Sequence, residues 1–151
     1  MDVRRSDLSE PEVKQLLALH HSEMRGYSPP GTCHVLDIDA LRAPDIDVFA
    51  AWDGDRLLAI GALKAHDGFA EIKSMRAHPD ARGQGAGRAI LAHLLDHARS
   101  TGHPSVKLET GSGGLFADAI ALYEKFGFVR CAPFAGYTPG TFTRLYSLDL
   151  S

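Results

Sequence analysis

A chain of 151 residues has the length of one domain, and a domain of this size can bury roughly 70% of the surface its unfolded chain exposes. With 16 basic against 19 acidic side chains, the formal charge of −3 excludes any general attraction to nucleic acid or to an anionic membrane, so a bound anion has to be held locally. No apolar run approaches the roughly 20 residues of a membrane span, and Met1-Asp2-Val3-Arg4-Arg5-Ser6-Asp7 lacks the apolar stretch of a signal peptide, so a cytoplasmic, single-domain protein is expected. Cys33 and Cys131 have neither the count of a disulfide framework nor the spacing of a zinc or redox pair, and no metal is expected.

In chain order, Ser9-Glu10-Pro11-Glu12 reads as a capping box with proline in the first turn. Val13, Leu16, Leu17, His20 and Met24 then recur at helical spacing, which predicts a helix to about Arg25. Tyr27-Ser28-Pro29-Pro30-Gly31 cannot continue it, because proline removes a donor and disfavours the helical region in the residue before it. Residues 48–52 and 57–63 are apolar, β-prone runs around a hairpin signal, Asp53-Gly54-Asp55-Arg56, and 69–77 follows the Asp67-Gly68 turn as a third strand.

The segment 85–101 carries Ile90, Leu91, Leu94, Leu95 and Ala98 on one stripe, which predicts a surface helix ending at Gly102. A short strand is expected over 106–110, a helix over 116–126 stopped by Gly127, and strands over 128–131 and 143–150. Hairpins followed by strand, helix, strand, helix and strand indicate a mixed α/β sheet. Between the third strand and the long helix, Arg82-Gly83-Gln84-Gly85-Ala86-Gly87-Arg88 has the makings of an anion cradle. Alternate glycines let backbone approach a ligand, and a helix beginning there aims unpaired N–H groups and its positive dipole end at phosphate. Arg82 and Arg88 are expected to add charge at the rims. The spacing lacks the last glycine of a dinucleotide fingerprint, and no Gly-Lys-Ser/Thr is present to make a P-loop.

Arg82-Gly83-Gln84-Gly85-Ala86-Gly87 resembles the R/Q-x-x-G-x-G/A signature of the GCN5-related N-acetyltransferase (GNAT) family. Ala121-Leu122-Tyr123-Glu124-Lys125-Phe126-Gly127-Phe128 resembles that family's second motif, so the similarity covers most of the chain beyond residue 48. Glu71-Ile72-Lys73-Ser74-Met75-Arg76, Leu108-Glu109-Thr110-Gly111 and Cys131-Ala132-Pro133-Phe134 are similar to a bacterial subgroup of small-molecule or uncharacterised acetyltransferases. The resemblance implies an α/β (α+β) GNAT fold: a mixed, mostly antiparallel sheet with splayed parallel central strands and helices on both faces. Acetyl-CoA as co-substrate is then expected in a V-shaped opening between 69–77 and 106–110. Backbone of Met75, Arg76 and Ala77 would meet its pantetheine arm, and Arg82, Gly83, Gln84, Gly85, Ala86, Gly87 and Arg88 would surround its pyrophosphate. The acceptor pocket is expected from the first helix, residues 27–34 and residues 131–137, and dimers are common in the family, so a homodimer is among the expected states.

The implied reaction is direct acetyl transfer to a small-molecule amine in a ternary complex. An alkylamine with a pKa near 10.4 is almost wholly protonated at pH 7, so a base is useful. The resemblance puts Glu71 in that role with Glu109 as the competing carboxylate, and Tyr123, whose phenol is ordinarily protonated at neutral pH, as the acid for the departing thiolate. Many members carry an Asn where Phe116 falls here; Ser112 or the longer Gly111-Ser112-Gly113-Gly114 turn are the substitutes weighed for it. Blander readings stand beside these: a Tyr123 that merely packs, a Glu71 on a solvent-facing position paired with Lys73, and His93 and His97 on a solvated helix face rather than on a metal. Cys131 reads as a small buried residue near the pocket rather than as a nucleophile. A non-catalytic acyl-CoA sensor and an O-acyltransferase remain the alternatives in function.

Overall fold

The structure is a computed structural model that describes residues 1–150, with Leu115 described through its backbone alone. Seven strands form one sheet in the order β1-β2-β3-β4-β5-β7-β6. They are β1 (Asp2–Arg5), β2 (Ile46–Asp53), β3 (Arg56–His66), β4 (Phe69–Ala77), β5 (Ser105–Thr110), β6 (Val129–Arg130) and β7 (Arg144–Asp149). All neighbours are antiparallel except β4 and β5. Three helices, α1 (Pro11–Tyr27), α2 (Ala86–Ser100) and α3 (Ala117–Lys125), cover the two faces.

Each face has its own core. Val13, Leu16 and Leu17 of α1 pack with Val48, Ala50 and Trp52 of β2. On the other side the stripe Ile90, Leu91, Leu94, Leu95 and Ala98 of α2 meets Phe49 and Ala51, the alternate residues of the same strand, together with Ile120 and Tyr123 of α3. The alternation of β2 between two apolar cores is why its sequence reads as one continuous hydrophobic run rather than apolar and polar in turn. Among the described residues, no helix is long and apolar enough to cross a membrane.

Two features of β4 open the sheet. Its parallel pairing with β5 runs only from Ala70↔Val106 to Ile72↔Leu108, after which Lys73 to Ala77 leave Glu109 and Thr110 behind while β5 stays paired with β7. On its other edge the register jumps from Ala62↔Lys73 to Ile60↔Arg76, so Ser74 and Met75 bulge opposite Gly61. Ser74 takes up the bulge in a left-handed conformation, φ +51°, and its buried hydroxyl has no hydrogen-bond partner among the described residues. Gly61 is required there because a Cβ would lie 2.6 Å from Ile90 Cγ2, so α2 sits directly on bare β3 backbone.

Several expected boundaries shift. The capping box does not form: Asp7 accepts from both the amide and the hydroxyl of Ser9, Glu10 is the N-cap, and no side chain caps the helix. The first helix runs on to Tyr27, two residues past its expected end. The last helix begins as a 3-10 turn over Gly114–Phe116 and becomes α-helical at Ala117. Strand β1 lies where the sequence predicts no element, and the strand expected over 128–131 shrinks to the two residues of β6.

Candidate active site

The parting of β4 and β5 leaves a cleft of about 560 Å³ that runs between α1 and the loop after it on one side and the starts of α2 and α3 on the other. At one end Met75, Arg76, Ala77, Arg82, Gly83 and Gly87 form the wall. Gly83 and Gly85 have φ of +77° and +80°, which turn the chain into α2, and a Cβ at either would meet nothing within 4 Å. Gly85 is the N-cap and offers no side chain, so the N–H groups of Ala86, Gly87 and Arg88 have no acceptor among the described residues. Three unpaired donors and a helix dipole facing open space fit a pyrophosphate.

Of the side chains in this segment, only that of Arg82 accompanies the backbone at the cleft wall. Gln84 and Gly85 are exposed outside the cleft wall, and Ala86 is buried in the core against α2's own packing face. The Arg88 guanidinium lies 5.8 Å over the Phe126 ring instead of at the cleft rim, and Arg82 is the cation that reaches the wall. Arg76 lines the cleft with its Nη1 2.6 Å from Glu23 Oε1 on α1. Ser112 donates its hydroxyl to the Thr141 carbonyl at 3.1 Å and is not a substitute for the missing Asn. Phe116 instead stacks edge-on with Phe142, and a Cβ at Gly111 would lie 2.4 Å and 2.6 Å from the two rings.

The other end of the cleft is polar. Glu71 lines it yet is 1% exposed, which corrects the solvent-facing reading of this strand position. Its Oε1 lies 2.8 Å from His66 Nε2, while its Oε2 accepts the Tyr137 hydroxyl at 2.5 Å and sits 3.2 Å from Lys73 Nζ. Lys73 also donates to the Tyr137 oxygen, closing a ring of three groups. Burial and the neighbouring Glu71 and Glu109 carboxylates push the Tyr137 hydroxyl up from the ordinary phenol value, so it remains a donor. Glu109 is the next carboxylate along the wall, with Oε2 at 3.1 Å from His34 Nδ1.

Tyr123 is buried with its ring edge-on to Phe128, but the residue forms part of the cleft wall and its hydroxyl has no partner among the described residues. Burial raises its pKa above the usual phenol value, which keeps the proton in place at neutral pH. The structure therefore brings Glu71, Glu109 and Tyr123 to one cleft. His34 lines the same cleft, whereas His66 and Tyr137 contact Glu71 without being part of the cleft wall; the partners of these three lie 75, 5 and 66 residues away, and neither spacing nor periodicity marks the two long-range pairs. Cys131 is half-buried outside the cleft wall, its thiol pushed up chiefly by burial. His97 Nε2 is 2.8 Å from Asp47 Oδ2, and both His93 and His97 lie edge-on to Phe49, so this pair belongs to the packing between α2 and β2.

The cleft thus lies where a strand pair separates after three rungs, with a glycine-started helix at one end of the gap and a buried tyrosine at its wall. The model of the acetyltransferase (GNAT) family matches residues 13–128, and the chain belongs to that family and is an acyltransferase. It is 40% identical to the uncharacterised N-acetyltransferase YsnE of Bacillus subtilis strain 168 over 91% of both chains. It is 39% identical to the uncharacterised N-acetyltransferase YedL of Escherichia coli K12 over 98% of this chain and 94% of that one. Among solved structures, a Bacillus subtilis acetyltransferase in complex with CoA matches with a TM-score of 0.72 and 18% identity, covering 99% of this chain and 98% of that one.

Proposed function

We propose that the protein transfers the acetyl group of acetyl-CoA to the primary amine of a small molecule by direct attack, with both reactants bound at once. The observation that carries this reading is the two-ended cleft: unpaired helix N–H groups at one end, and Tyr123 with the Glu71 and Glu109 carboxylates along the rest of the wall. The similar fold of an acetyltransferase in complex with CoA supports the same donor. Acetyl-CoA supplies an acyl thioester; everything else is asked of the chain.

Backbone of Gly83 to Arg88 would hold the pyrophosphate, and the free edge of Met75 to Ala77 would take the amide-bearing arm as an added strand. The carboxylates make the acceptor end attractive to an ammonium group. Tyr123 would give its proton to the leaving sulfur, a step for which its unpartnered hydroxyl at the cleft wall is suited. The reading is tested by following free thiol release from acetyl-CoA with cadaverine, tyramine, glucosamine and an alanine-initiated tetrapeptide. Turnover with one of the small amines in preference to the peptide is expected. Binding of acetyl-CoA with no turnover on any of them would favour a sensor.

A further inference from the structure

We propose that His34 is the base that takes the proton of the acceptor amine, with Glu109 as the residue that positions it. The inference rests on the acetyl-transfer reading above and deepens it at the acceptor end of the same cleft.

An amine reaches the cleft mostly as ammonium and needs a lone pair waiting for its proton. Glu71 is poorly placed to supply one, because His66, Tyr137 and Lys73 already engage both of its oxygens. Glu109 gives Oε2 to His34 Nδ1. An ionised carboxylate only accepts hydrogen bonds, so Nδ1 carries the hydrogen and the lone pair of a neutral imidazole lies on Nε2. That nitrogen has no partner among the described residues, and His34 lines the cleft with its side chain 33% exposed, against 13% for Glu109.

The ring is held from a second side as well. Tyr137 meets it edge-on at 4.9 Å, and Tyr137 is itself fixed by Glu71 and Lys73. The charged groups that face His34 are thus Glu109 from β5 directly and Glu71 and Lys73 of β4 behind the Tyr137 ring. A carboxylate, an oriented imidazole and a free Nε2 at a cleft wall are the parts of an acid–base dyad.

The step balances as follows. Nε2 takes one proton from the ammonium group and becomes imidazolium, which Glu109 steadies. The freed nitrogen lone pair forms the N–C bond, the C–S bond breaks with its electron pair on sulfur, and sulfur takes the Tyr123 proton. The second amine proton returns the phenol to its starting state through solvent, and His34 gives its proton to solvent.

The experiment combines kinetics with a readout on the protein alone. With the amine that wild type acetylates fastest, His34→Asn keeps a donor toward Glu109 but has no base, and kcat/KM should fall on the order of 10²-fold. Its thermal unfolding should match wild type, the rising limb of kcat/KM against pH should disappear, and added imidazole should restore turnover to His34→Ala. Nitrogen-15 NMR of histidine-labelled protein without substrate should show His34 as the Nδ1–H tautomer, and Glu109→Gln should abolish that preference. The inference is overturned if His34→Asn keeps the rising limb with less than a threefold loss, if Glu71→Gln removes the limb instead, or if the resting tautomer is Nε2–H. Wild type that turns over none of the amines defeats the acetyl-transfer reading itself, whereas turnover with an unchanged limb defeats only the role of His34.

Discussion

At the scale of single residues, the cleft shows how environment rather than residue type assigns work. Tyr123 lines it and Tyr137 braces the cleft-lining Glu71, and both have their hydroxyl pKa raised, mainly by burial. Tyr137 spends its hydrogen on Glu71 and receives one from Lys73, so it is a strut between two charged groups. Tyr123 has no such partner, and its proton is available to a reacting atom. Tyr123→Phe removes one oxygen and leaves the ring packed on Phe128, so kcat should fall roughly 10²- to 10³-fold, within the usual range for loss of a general acid, while the KM for acetyl-CoA changes little. Steady-state thiol release decides it; an unchanged kcat would reduce Tyr123 to a core residue. Glu71 illustrates why such roles were hard to read from sequence. Its pairing with Lys73 two residues on was legible, but the side chains that bury it come from His66 across the β3–β4 turn and Tyr137 at the far end of the chain.

Elements were legible where a face is buried and obscure where backbone pairing alone holds them. The expected span of β4 is the observed Phe69–Ala77, and the α2 stripe is the one that enters the core. Strand β1 escaped because Asp2, Arg4 and Arg5 are exposed and the strand is held by its register with residues 49–52 of β2 rather than by an apolar pattern. The capping box failed for a local reason, since Asp7 outcompetes the helix for Ser9. The bulge at Ser74 left no signal at all, because a serine with positive φ looks like any other serine. Two glycines test these element-level arguments. Gly111→Ala would push a methyl group into Phe116 and Phe142, costing about 1–3 kcal/mol, which urea unfolding would register as a lower midpoint with an unchanged slope. Gly85→Asp strains a left-handed N-cap and puts an anion where the helix N–H groups point, so the rise in melting temperature that acetyl-CoA produces by linkage should vanish. A rise that survives would move the pyrophosphate away from α2.

Across the molecule, the face that receives α1 is tied to the cleft through one buried histidine. His20 is on the inner side of α1, 8% exposed, and also part of the cleft wall; its Nδ1 has no hydrogen-bond partner among the described residues. Burial, reinforced by the Arg76 charge and only partly opposed by Glu23, lowers its pKa from 6.5 to about 4. Arg76 is paired with that same Glu23, so the two charges largely offset each other at His20 and burial is what keeps it neutral. A histidine whose folded pKa lies below its unfolded value binds more protons when unfolded between the two. It therefore contributes stability above pH 6.5 that is lost as the pH falls toward 4, amounting to about 3 kcal/mol from the 1.36 kcal/mol carried by each pKa unit. Carboxylates elsewhere add to acid unfolding, so the informative quantity is the difference between wild type and a variant that cannot titrate at this position. With His20→Leu, chemical unfolding at pH 7 and pH 4 should show wild type losing about 3 kcal/mol more than the variant over that interval. A difference that stays constant with pH would mean that His20 takes up its proton as readily in the folded protein as in the unfolded chain, so that α1 opens to water on its inner face.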